Sequence, residues 1–76
     1  MIHKLKIESK YFEEVHTGKK SFEIRKNDRN FQVGDILILK EYKPEVQEFT
    51  GEFLKRKVTY ITDYAQQDGF VVMAIV

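Results

Sequence analysis

The run Ile36-Leu37-Ile38-Leu39 is the most apolar stretch of the chain, and Gly34-Asp35 leads into it as a turn. Successive side chains of a strand point to opposite faces, so four aliphatic residues in a row describe a central strand that is apolar on both sides. Such a strand is either covered on both faces or belongs to a small closed barrel whose other face meets a helix. Lys40, Glu41 and Tyr42 continue it outward.

With 76 residues the chain makes one domain over 1–76, of radius of gyration roughly 11 Å. A domain of this size has a thin stability margin and offers shallow clefts rather than deep cavities. An apolar fraction of 42% that includes six Phe and four Tyr is enough for a real core and argues against disorder. The absence of cysteine removes disulfides and thiolate metal sites and fits a reducing compartment, so a cytoplasmic protein is expected. No apolar run approaches the ~20 residues of a membrane span. The opening Met1-Ile2-His3-Lys4-Leu5-Lys6 lacks the continuous apolar core of a signal peptide. A net charge of +1 says little about partners; only the distribution of charge argues for one.

Ile2 to Ile7 alternates, with His3, Leu5 and Ile7 on one face, and reads as a half-buried strand. No second His or carboxylate stands near His3 at metal-ligand spacing, so it reads as a packed ring, and neither metal nor cofactor is expected. Ser9 is placed to cap a short helix that buries Tyr11, Phe12 and Val15, with His16 in its last turn and Gly18 as its left-handed stop. Tyr42 to Thr50, with the sole proline, Pro44, reads as a surface loop. Glu52 to Thr62 reads as a long strand with a bend or bulge near Lys55 to Lys57. Asp63 to Gly69 reads as a turn or brief helical excursion, and Phe70 to Val76 as a final, paired strand. The order β, α, β, β, β, β predicts a mainly β fold with one short helix (α+β). A small barrel of about five to six strands is the first expectation and an open α+β sheet the second.

Chemistry concentrates in Gly18 to Arg29, where Lys19, Lys20, Arg25, Lys26 and Arg29 stand against Glu23 and Asp28, a local +3 in a chain of +1. As a strand, Phe22 and Ile24 share one face and Ser21, Glu23 and Arg25 the other, so the apolar pair is expected to fill the core while the charged set presents chemistry. Lys26 to Asn30 reads as a polar turn and the first place to look for a ligand.

The pattern G-x-K-x-x-E-x-R formed by Gly18, Lys20, Glu23 and Arg25 follows a short helix and precedes Val33-Gly34-Asp35 and an apolar strand. In this the chain resembles an ASCH domain of the PUA-like superfamily over nearly its full length. It is most similar to small bacterial and phage proteins that carry K-x-x-E-x-R-K-N-D-R-x-F-x-V-G-D, here Lys20 to Asp35. The resemblance implies a PUA-like β-barrel with a cleft lined by Lys20, Glu23 and Arg25. The superfamily includes presumed RNA-binding modules and small amidohydrolases that use a Lys to activate a Thr three positions on. This chain has Glu23 in place of that Thr, and a carboxylate does not replace a hydroxyl nucleophile in simple amide hydrolysis.

The function expected is therefore binding of RNA or a nucleotide-like ligand. Arg25, Lys26 and Arg29 would hold phosphates, Glu23 and Asn27 would address a base edge, and Tyr42 or Tyr60 would supply a stacking face; Lys19, Lys20 and the Lys55-Arg56-Lys57 cluster would extend the positive track if the fold brings them in. A second reading makes Lys20 and Glu23 an acid/base pair of a small hydrolase acting on a modified nucleobase or nucleoside. A third is a protein-interaction module. A structural reading treats Lys20, Glu23 and Arg25 as a partly buried ion network tying the strand to the helix end.

Overall fold

The computed structural model describes residues 1–76. Its elements are β1 (Ile2–Glu8), α1 (Ser9–His16), β2 (Phe22–Lys26), β3 (Ile36–Lys43), β4 (Glu48–Thr62) and β5 (Phe70–Ile75). The strands form one five-stranded sheet in the order β1-β3-β4-β5-β2. β1 runs parallel to β3, and the remaining neighbours are antiparallel. The expected mainly β architecture with one short helix is present, as an open sheet and not as a closed barrel.

Closure fails at one seam. β1 and β2 are the two edges and exchange no backbone ladder; instead the Arg25 Nη2 on β2 donates to the Lys6 carbonyl on β1 at 2.9 Å. A side chain occupies the place where a ladder would close the barrel. β4 joins the two halves of the sheet, pairing with β3 as far as Lys57 and with β5 from Val58 onward. The irregularity expected near Lys55 to Lys57 falls just beyond them. Those three residues stay in register opposite Ile38, Leu37 and Ile36, and the register shifts fall between Val58 and Tyr60, where β4 changes partner, and opposite Lys40 to Tyr42. Gly51, with φ of +92°, lies in the second irregular stretch, where a left-handed residue favours glycine.

The core lies between the inner face of the sheet and α1. Leu37, Leu39, Val58 and Met73 are fully buried, and Leu5, Ile7, Phe12, Val15, Phe31, Val71 and Ile75 complete the cluster. Burying one such side chain stabilises by about 1.5–3 kcal/mol, and the eight-residue helix depends on this contact through Phe12 and Val15. Tyr11 remains on the surface.

Three local expectations are corrected. Ser9 is the first helical residue and not the cap; Glu8 takes the cap position without a side-chain bond, and the Ser9 hydroxyl points to the Tyr42 carbonyl at 3.5 Å. The Tyr42 to Thr50 loop shrinks to residues 44–47, since β3 and β4 continue through Lys43 and Glu48 and the left-handed Gln47 completes a tight turn. The alternation in β2 is right but its facing is reversed: Glu23 is buried at 2% exposure, whereas Phe22 and Ile24 are 41% and 49% exposed. The cause is local pairing, described next.

Candidate functional site

Gly18, at φ of +83°, stops α1, and the Lys20 amide donates to the Glu14 carbonyl at 2.9 Å, turning the chain from the helix into β2. Glu23 then sits opposite the buried Met73 of β5 and faces inward. Its Oε1 accepts from Lys20 Nζ at 2.7 Å and its Oε2 from Arg25 Nε at 2.8 Å. Charge-assisted bonds to both oxygens compensate the desolvation that would otherwise keep a carboxylate out of the core. No buried side-chain nitrogen or oxygen lacks a partner anywhere in the chain. Lys20 also lies 5.2 Å from the Phe22 ring centroid and 5.4 Å from that of Tyr11, so its charge is held between two rings and the carboxylate.

Beside this network, at the seam between β1 and β2, lies a cleft of about 270 Å³. Leu5 and Phe31, both nearly fully buried, form its apolar floor; Arg25, Lys26 and Arg29 supply its cations and Asp28 its one anion, and Lys6 borders it with its ammonium turned over the Tyr42 ring. Arg25 is fixed at both ends, by Glu23 and by the Lys6 carbonyl, whereas Lys26 and Arg29 bond no protein acceptor. A rigid guanidinium flanked by two uncommitted cations is suited to an anion. No hydroxyl, thiol or imidazole lines the cleft, so it contains no side-chain nucleophile of those kinds.

The residues singled out from sequence divide accordingly. Arg25, Lys26 and Arg29 meet in the cleft, and Glu23 lies beneath it as the anchor of Arg25. Lys20 is directed to the other flank, into a hollow of about 370 Å³ with Tyr11, Phe22 and Ile24. Asn27 serves the turn: its Oδ1 accepts from the Phe31 amide at 2.8 Å and its own amide donates to the Gly69 carbonyl at 2.7 Å. It borders a separate polar hollow with Asp63, Gln66 and Asp68. Tyr42 and the Lys55-Arg56-Lys57 cluster lie on the β3–β4 half of the sheet and line neither the cleft nor these hollows.

Sequence reasoning missed two contributors. Lys6 enters the cleft because β1 is an edge strand. His3 is buried, and its Nε2 donates to Asp35 Oδ2 at 2.8 Å while its ring meets Phe31 edge-on at 4.8 Å. The parallel β1–β3 register brings together residues 32 apart in sequence, and no short-range spacing signals that. The His3 bond foremost, then the Gln32 amide and the N-terminal ammonium, hold the Asp35 carboxyl at about 2, below its ordinary 3.8. This clasp fixes Phe31, and with it the cleft wall. No three His, Asp or Glu side chains converge as a metal ion would require, and no helix is long and apolar enough to cross a membrane.

The model of a family described as Domain of unknown function (DUF3850) matches residues 2–75. An uncharacterized 12.9 kDa protein in the GpA 3'region of Escherichia phage P2 is 47% identical over 62 residues, covering 82% of this chain and 55% of that protein. The chain thus spans little more than half the length of that relative. Matched over nearly its whole length, the chain belongs to the DUF3850 family.

Proposed function

We propose that this protein is an ASCH-type member of the PUA-like superfamily that binds RNA or a nucleotide-like ligand through the cleft at the β1–β2 seam. The family likeness rests on the Lys20 to Asp35 motif and on the order of elements, and the open seam is the one departure from a barrel. The observation that carries the binding reading is the state of the cations: Arg25 is held rigid, and Lys26 and Arg29 beside it have no acceptor of their own. Phosphate is the anion that suits a fixed guanidinium with two cations around it. Glu23 does not serve as a catalytic base in this reading, because both its oxygens are engaged by cations.

A fluorescein-labelled single-stranded RNA of four nucleotides, followed by anisotropy, tests this. With about three phosphates engaged, log affinity falls against log salt with a slope of about −2. The double variant Lys26→Ala/Arg29→Ala, at two exposed positions, weakens tetranucleotide binding at least about tenfold and leaves the melting temperature unchanged. No saturable binding at micromolar protein, or full binding by the double variant, overturns the reading.

A further inference from the structure

The outer surface of the β1–β3–β4 half of the sheet carries no helix, since α1 packs on the inner side through Phe12 and Val15. Register sets its side chains in rows: Lys4, Ile38 and Lys55 in one, Lys6, Lys40 and Phe53 in the next, and Glu8, Tyr42 and Phe49 beyond. With Lys57 opposite Ile36, this face holds five of the chain's thirteen Lys and Arg but one of its twelve Asp and Glu. A solvated face with no further role intersperses both signs. Lysines on an edge strand guard against strand addition. That accounts for Lys4 and Lys6 on β1, but not for Lys40, Lys55 and Lys57 on the second and third strands.

Lys6 and Lys40 oppose each other directly across the strands, an unfavourable like-charge pairing that no carboxylate relieves. Their ammonium groups rest instead over rings, Lys6 4.4 Å from the Tyr42 centroid and Lys40 5.0 Å from that of Phe49. Tyr42 and Phe49 meet edge-on, and Phe49 and Phe53 are 52% and 61% exposed. Lysines two apart on one strand stand about 6.6 Å from each other, comparable to the step between phosphates of an extended strand.

We infer that this sheet face is a second binding surface, for single-stranded nucleic acid, with its lysines on successive phosphates and Phe53, Phe49 and Tyr42 as stacking partners for bases. Positive charge that no carboxylate pairs with calls for a polyanion, and exposed rings interleaved with it select one that alternates phosphate with flat apolar groups. The surface is independent of the seam cleft except at Lys6, whose stem borders both.

The test uses the full chain carrying Lys26→Ala/Arg29→Ala, so that the cleft is disabled, and a labelled twelve-nucleotide oligouridine. Binding persists in that background, with a salt slope of about −3.5 if all five lysines take a phosphate. Lys55→Gln/Lys57→Gln reduces the slope by about 1.4. Phe53→Ala weakens oligouridine at least about fivefold while leaving inorganic polyphosphate binding unchanged. Melting curves show each surface variant folded. Loss of all oligouridine binding with the cleft disabled overturns the inference while leaving the cleft reading intact. An oligouridine affinity indifferent to Phe53→Ala overturns it in favour of a surface for any polyanion, including an acidic protein.

Discussion

Glu23→Gln removes the charge from the one carboxylate of the Lys20–Glu23–Arg25 network while keeping its shape. Glu23 is 2% exposed and makes bonds of 2.7 and 2.8 Å to Lys20 and Arg25. Stranding the partners of a fully buried pair costs about 3–5 kcal/mol. The side chains of Lys20 and Arg25 are 19% and 25% exposed, so water recovers part of their solvation; the expected loss is about 2 kcal/mol. For a domain of this length that lowers Tm by roughly 8–16 °C. Thermal and urea unfolding followed by circular dichroism at pH 7 read the change, with Glu13→Gln on the exposed face of α1 as the control, expected within about 0.5 kcal/mol of the parent. The loss should persist in high salt, since a buried pair is poorly screened. A Glu23→Gln protein as stable as the control would refute the claim that this network holds β2 with its charged side inward.

Asp35→Asn removes the carboxyl held at about 2 by His3, Gln32 and the N-terminal ammonium. A depressed carboxyl contributes stability above its unfolded value of 3.8 that is lost as pH falls toward about 2, so the parent should lose stability across that window and the variant should show a flatter acid limb in pH-dependent unfolding. Leu39→Ala, at a fully buried position of the central strand, should cost about 2–5 kcal/mol in urea unfolding. Gly18→Ala places a side chain at φ of +83° and should destabilise by about 1 kcal/mol or more, read as a lower Tm.

The order of elements was legible because each is local. His3, Leu5 and Ile7 alternate into the core, Phe12 and Val15 fall on one side of a helical turn, and Gly18 takes the left-handed stop. The facing of β2 was not, because an apolar pair on one side of a strand ordinarily points inward. Lys20 and Arg25 stand within three positions of Glu23 and compensate its charge, which allows the carboxylate to be buried and leaves Phe22 and Ile24 outside. The double-sided apolarity of Ile36 to Leu39 suggested cover on both faces. In the fold Leu37 and Leu39 are fully buried, while Ile36 and Ile38 are half-buried on the lysine-bearing face, where lysine stems can shield them. Of the candidate site, Arg25, Lys26 and Arg29 were found as near neighbours in sequence. Lys6 and the His3–Asp35 clasp were not, because they depend on the seam and on the parallel β1–β3 register.

Backbone amide spectra of the isotope-labelled protein, titrated with the four-nucleotide RNA, test the cleft most directly. The predicted result is a saturable shift at Lys6 and residues 25–31 that is absent in Lys26→Ala/Arg29→Ala, whichever residues of the sheet face also respond. A spectrum unmoved by the RNA, or shifts that leave Arg25, Lys26 and Arg29 in place, would contradict it.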